Sequence, residues 1–117
     1  DANFDLCNLA QAAGATYVSR STVHGANMII KQIENGIKNK GFSFIETITV
    51  CPTYYGRRNK KGDAVDMIDY LKGNTINKSA YDKLSEEDRG DKLVVGELYR
   101  GERPEYVESY DKIIKSF

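Results

Sequence analysis

The chain has 117 residues, 40% of them hydrophobic, and its seventeen basic side chains cancel seventeen acidic ones. That length allows one small domain, or part of a larger one, with a modest core, and the balanced charge offers no field to gather nucleic acid or an anionic membrane. There is no apolar run of about 18 residues, no signal-type segment and only two cysteines, so the expectation is a soluble protein of a reducing compartment, read as cytoplasmic.

The first residue is not Met and a helical pattern begins almost at once, which leads us to expect a piece of a longer protein. Asn3 is the expected cap of a short helix carrying Leu6, Leu9, Ala10 and Ala13 on one face, with Gly14 in the left-handed position after its end. Thr16-Tyr17-Val18 reads as a short buried strand and Ser19 to Gly25 as the polar loop leaving it. A second helix is predicted with Ala26, Ile29, Ile30, Ile33 and Ile37 facing inward and Lys31, Gln32, Glu34 and Lys38 outward. Gly36 inside it should weaken it by about 1 kcal/mol relative to alanine.

Phe42 to Val50 is rich in β-forming residues and predicts the central strand, which stops at Cys51-Pro52 because proline has no ladder donor. Strand, helix and strand over residues 16 to 50 predict a parallel pair with a right-handed crossover, to be completed by strands from elsewhere. Asp63 and Asp66 open a further helix with Val65, Ile68 and Leu71 on its apolar face and Lys72-Gly73 at its end. Residues 74 to 91 read as a polar surface excursion with a capping-box-like Ser79 and Asp82. Leu93, Val94, Val95 and Leu98 predict a last strand, and Pro104 the first turn of a terminal helix bearing Val107, Tyr110, Ile113 and Ile114.

Chemistry collects beyond the carboxyl ends of strands in open α/β sheets, so Cys51, followed by Tyr54, Tyr55, Arg57 and Arg58, is the sharpest candidate. Free cysteine is also a common core residue, and position alone leaves both readings open. Beside cations the thiol would gain thiolate character, making it a nucleophile or a metal ligand. Cys51 to Arg57 has the Cys-x5-Arg spacing of thiol phosphatases and arsenate reductases. Against that, Pro52 lacks an N–H, Tyr54-Tyr55 are bulky, and the next helix is expected only near Asp63. As a metal ligand, Cys51 could be only one of several, since a four-iron cluster needs four cysteines. His24 reads as a solvated loop residue, Arg57, Arg58, Lys60 and Lys61 as a solvated charge run open to an acidic redox protein or a coenzyme phosphate, and Glu46 as a packed or hydrogen-bonded strand residue. Tyr99 to Tyr110 are expected to cover a core or a subunit interface.

Four segments, DLCNLAQAAGATYVSR, KGFSFIETITVCPTYYGRRN, DAVDMIDYLKGNTI and VVGELYRGERPEY, together resemble the carboxyl-terminal part of the thiamine-diphosphate-binding β subunit of 2-oxoacid:ferredoxin oxidoreductases, closest to the 2-oxoglutarate:acceptor type. The resemblance implies an α/β fold, part of a thiamine-diphosphate-binding parallel-sheet domain with flanking helices. Residues 1–73 would be the carboxyl-terminal half of that domain and 74–117 an extension packed on it. It implies oxidative decarboxylation of a 2-oxoacid, 2-oxoglutarate by the closest likeness, to an acyl-CoA. The cofactors would be thiamine diphosphate, Mg²⁺ and a [4Fe–4S] cluster in the full subunit, and the partners coenzyme A, further subunits and ferredoxin or flavodoxin. Cys51 would be the family's carboxyl-terminal cluster ligand and Cys7 a core residue. The other ligands and the Gly-Asp-Gly motif would lie upstream, so this segment alone should bind none of these cofactors and be inactive. The alternatives are a stand-alone Cys-x5-Arg enzyme and a non-catalytic α/β interaction module.

Overall fold

In a computed structural model the described residues are 3–117. The elements run α1 (Leu6–Ala12), β1 (Tyr17–Thr22), α2 (Ala26–Lys38), β2 (Ser43–Ile48), a π-helical turn (Pro52–Gly56), α3 (Ala64–Gly73), β3 (Thr75–Asn77), α4 (Lys78–Tyr81), β4 (Leu93–Arg100) and α5 (Tyr106–Lys115). Four strands form one sheet in the order β2-β1-β4-β3, so that among the described residues β2, expected as the central strand, stands at an edge and β1 takes an interior place. The parallel β1 and β2 pair directly, with Tyr17 opposite Ser43 and Thr22 opposite Ile48, and α2 is the crossover between them. β4 runs antiparallel to β1, and β3 is parallel to β4. The class is α/β, with helices packed on a mixed sheet.

β1 corrects the expectation most sharply. The run Ser19 to Thr22, read as a loop, continues the strand, and every residue of β1 is buried. A strand flanked by two others satisfies its backbone on both sides, so its polar side chains need only local partners. Two of them find such partners, with the Ser21 and Thr47 hydroxyls 3.1 Å apart and the Arg20 guanidinium donating to Glu46 (2.5 Å) and Asp5 (2.7 Å), whereas the buried Tyr17 and Ser19 hydroxyls have none. The β1–β4 ladder shifts register between Val18 and Ser19, so that Leu98 is the extra residue of a bulge, beside Gly96 at φ +113.

The core sits where α1 meets the sheet. Cys7, Ala10, Ala15 and Val18 are buried together, with Phe44, Leu98 and Tyr99 packed against them. α1 therefore presents Cys7 and Ala10 inward while Leu6 and Leu9 are exposed, and Asp5 rather than Asn3 caps it, accepting from the Asn8 amide. Gly14 does hold the left-handed position, at φ +105.

α2 is turned the other way from its apolar stripe. Gln32 and Gly36 are its buried residues, whereas Ile30 is 65% and Ile37 79% exposed. Gly36 lets the helix lie close to β2: a Cβ there would come 2.7 Å from Ile45 Cδ1. Its cost to helix propensity accompanies this close approach.

The last third holds three further differences. Residues 74 to 91 contain β3 and the single-turn α4, capped by Asn77 in place of a Ser79 and Asp82 box, because β3 ends at Asn77, whose side chain reaches the Ser79 amide. α5 starts after Pro104, capped by Glu105, and its Val107, Tyr110, Ile113 and Ile114 are all exposed. In α3 the Asp63–Asp66 capping box forms as expected, but Met67 is the buried residue and Val65 is exposed. The radius of gyration is 17.8 Å, against about 13 Å for a compact chain of this length, because α3 and α5 stand away from the sheet.

Candidate metal-ligand site at the exit of β2

β2 ends at Ile48, and Thr49 and Val50 carry the chain to Cys51 at the sheet's carboxyl edge. Pro52 then starts the π turn, where its missing N–H costs nothing because the first amides of any helical turn are unpaired. The turn closes with the Gly56 amide donating to the Cys51 carbonyl at 2.9 Å, and Arg57 continues in helical conformation. The expectation that no helical turn would begin before Asp63 is therefore corrected. Gly56 lies close against α3, where a Cβ would meet Met67 Sδ at 2.8 Å and the Met67 side chain would have to shift.

The Cys51 thiol is exposed and held below its ordinary pKa by the backbone amides of Tyr55 and then Tyr54, with a smaller contribution from the Thr53 hydroxyl at 3.9 Å. Amide dipoles that face a sulfur favour its charged form. Beside the sulfur lies a concavity of about 500 Å³ lined by Ile48, Val50, Tyr55, Met67, Tyr70 and Leu71, with Lys61 and Asp66 at its polar side.

Cys7 has the opposite environment. It is 2% exposed, its thiol lies 3.3 Å from Glu46 Oε2, and burial first, with that carboxylate second among the raising causes, pushes it up to about 12. A neutral thiol under α1 is a core group. His24 is an exposed turn residue after β1, and among the described residues no group of three or more His, Cys, Asp or Glu is gathered that could hold a metal. Cys51 can therefore contribute one ligand and no more. Glu46 is occupied by Arg20 and Cys7. Arg57, Arg58, Lys60 and Lys61 are exposed, Arg58 lying 4.6 Å from the Tyr54 ring centre and Lys61 5.3 Å from that of Tyr70. Tyr99 packs on the core, while Tyr106 and Tyr110 stack on each other in the open.

Sequence reasoning missed the ion cluster of Arg20, Asp5 and Glu46, which joins α1 to β1 and β2. The only available signal was an arginine inside a run of β-branched and small residues.

The 2-oxoglutarate synthase subunit KorB of Methanocaldococcus jannaschii is 47% identical to this chain over 111 residues, covering 95% of the chain and 41% of that subunit. The chain is homologous to part of KorB. The Methanothermobacter marburgensis KorB is 43% identical over 87% of the chain and 36% of the relative. A 2-oxoacid:ferredoxin oxidoreductase β subunit of Sulfolobus is 31% identical over 92% of the chain. The fold matches 2-oxoglutarate:ferredoxin oxidoreductase from Magnetococcus marinus, a structure with 2-oxoglutarate, coenzyme A and succinyl-CoA bound, at a TM-score of 0.76 and 18% identity, over 99% of this chain and 40% of that one. No family model matches the sequence. The chain thus spans about two fifths of the length of the KorB relatives it matches. No helix among the described residues is long and apolar enough to cross a membrane.

Proposed function

We propose that this segment is the carboxyl-terminal part of a cytoplasmic 2-oxoglutarate:ferredoxin oxidoreductase β subunit, and that Cys51 supplies one thiolate to a [4Fe–4S] cluster. The observation that carries the reading is the 47% identity to a 2-oxoglutarate synthase subunit over nearly the whole chain. In this reading residues 1–73 belong to the thiamine-diphosphate-binding domain and 74–117 form its extension. The remaining cluster ligands, the thiamine diphosphate and the Mg²⁺ are held by residues outside this segment, and coenzyme A, ferredoxin and further subunits meet the assembled enzyme. The segment alone is inactive.

One thiolate suits the site, because the sulfur is exposed, amide-facing and, among the described residues, in no group of three or more metal-binding side chains. When bound, the cluster accepts electrons one at a time. The chain's own contribution is to carry Cys51 just beyond the end of β2 and to turn the Tyr54 and Tyr55 amides toward its sulfur, an arrangement that would raise a cluster's potential. Iron content and visible absorbance of the complete subunit test this directly. Cys51→Ser should lose most of the iron and the associated absorbance, and a variant that keeps both would remove Cys51 from the ligand set.

A further inference from the structure

Arg57, Arg58, Lys60 and Lys61 form a basic knuckle between the π turn and α3, and all four are exposed. Ion pairs among the described residues engage Arg20, Lys38, Lys40, Lys78 and Arg100, but none of these four. From residue 57 to 66 the four cations face two acids, Asp63 and Asp66, leaving a local excess of two positive charges in a chain whose net charge is zero. Those two acids are already engaged with each other's backbone amides in the α3 capping box.

The knuckle also has a fixed shape, which a merely solvated charge run does not require. The Lys61 amide donates to the Gly56 carbonyl at 2.9 Å, Lys60 and Gly62 hold positive φ of 53° and 81°, and Tyr54 and Tyr70 lie under Arg58 and Lys61. Aromatic faces hold cations in place without neutralising them. The same turn presents Cys51, and Lys61 lines the concavity beside that sulfur.

We propose that this knuckle is the docking surface for an acidic electron-carrier protein. The inference rests on Cys51 being a cluster ligand. A carrier that takes electrons at Cys51 must approach the exposed thiol, and the un-neutralised charge next to it steers a protein of opposite sign onto that face. Steering of this kind acts on association and weakens with salt.

The test uses the complete enzyme with Arg57→Glu and Lys60→Glu together, leaving Lys61 and the Tyr54–Arg58 pair intact. Binding of a purified acidic [4Fe–4S] ferredoxin is measured calorimetrically at about 50 and about 300 mM salt. Reduction of methyl viologen, a small cation, is followed separately. The variant should bind ferredoxin at least about tenfold more weakly at low salt and lose most of the salt dependence. Its iron content should stay at the wild-type level, and its rate with the cationic viologen should not fall. Lys112→Glu with Lys115→Glu makes the same change of charge on α5 and should leave ferredoxin binding unaltered.

Unchanged ferredoxin affinity in the knuckle variant would overturn the proposal, as would an equal loss in the α5 variant or a loss of coenzyme A affinity in place of ferredoxin affinity. The underlying reading fails differently, through iron retained in Cys51→Ser. That result leaves the knuckle without an electron source beside it and overturns the docking inference too.

Discussion

Cys51 and Cys7 show how far two identical side chains diverge in 117 residues. Cys51 faces backbone amides at the open end of a strand, and its thiol is drawn below the ordinary value. Cys7 lies beneath α1 against a carboxylate and is pushed up to about 12. A thiol with a lowered pKa is more fully thiolate at any pH short of complete ionisation, so alkylation of the iron-free protein should separate the two. Iodoacetamide near neutral pH should modify one equivalent, abolished by Cys51→Ser, and Cys7 should react only in denaturant. Two rapid equivalents in the native protein would contradict the burial of Cys7. The position of Cys51 was legible because a β-rich run meets a proline. Its amide partners were not, since a π turn has no residue signature in a single sequence.

At the scale of elements, the strand–helix–strand unit and α3 could be read from periodicity and capping residues, while β1 and α2 show where that reading fails. A central strand bonded on both sides tolerates Ser, Arg, Ser and Thr, which alternation rules assign to a loop. α2 has a clear apolar stripe, yet the face against the sheet is chosen by Gly36, whose lack of a side chain lets the backbone approach. The glycines make a paired prediction. Gly41, between α2 and β2, has φ +120 and a would-be Cβ 2.6 Å from Thr16 Oγ1, so Gly41→Ala should destabilise by about 1–2 kcal/mol. Gly73, at the end of α3, has open space around it and ordinary helical geometry, so Gly73→Ala should stabilise by up to about 1 kcal/mol. Denaturant midpoints of the two variants, moving in opposite directions, check both.

For the whole molecule, Arg20 is the residue that links the layers. It is 7% exposed, and it ties Asp5 before α1 to Glu46 on β2 from its place in β1. Arg20→Met would leave two carboxylates facing each other without their cation. The cost should be about 3 kcal/mol, the low end for a buried pair because Asp5 is 41% exposed. Burial raises the Asp5 pKa, but the Asn8 amide and Arg20 outweigh it, and the net value is below the ordinary 3.8. The stabilisation from Asp5 is therefore complete above that ordinary value and is lost as pH falls through the lower folded value. Wild-type stability should drop in that acid range, and Arg20→Met should show a shallower drop, as acid titration followed by circular dichroism would record.

The sheet order has a consequence for synthesis. β1 needs β4 as its second neighbour, yet 78 residues separate the end of β1 at Thr22 from the end of β4 at Arg100. At ribosomal speeds of about 5–20 residues per second, that edge waits roughly 4–16 s before its partner leaves the exit tunnel. During those seconds a strand whose second half is Ser, Arg, Ser and Thr is a poorer template for another nascent chain than an apolar strand would be, so the polarity that made Ser19 to Thr22 read as a loop also guards β1 while it is unfinished.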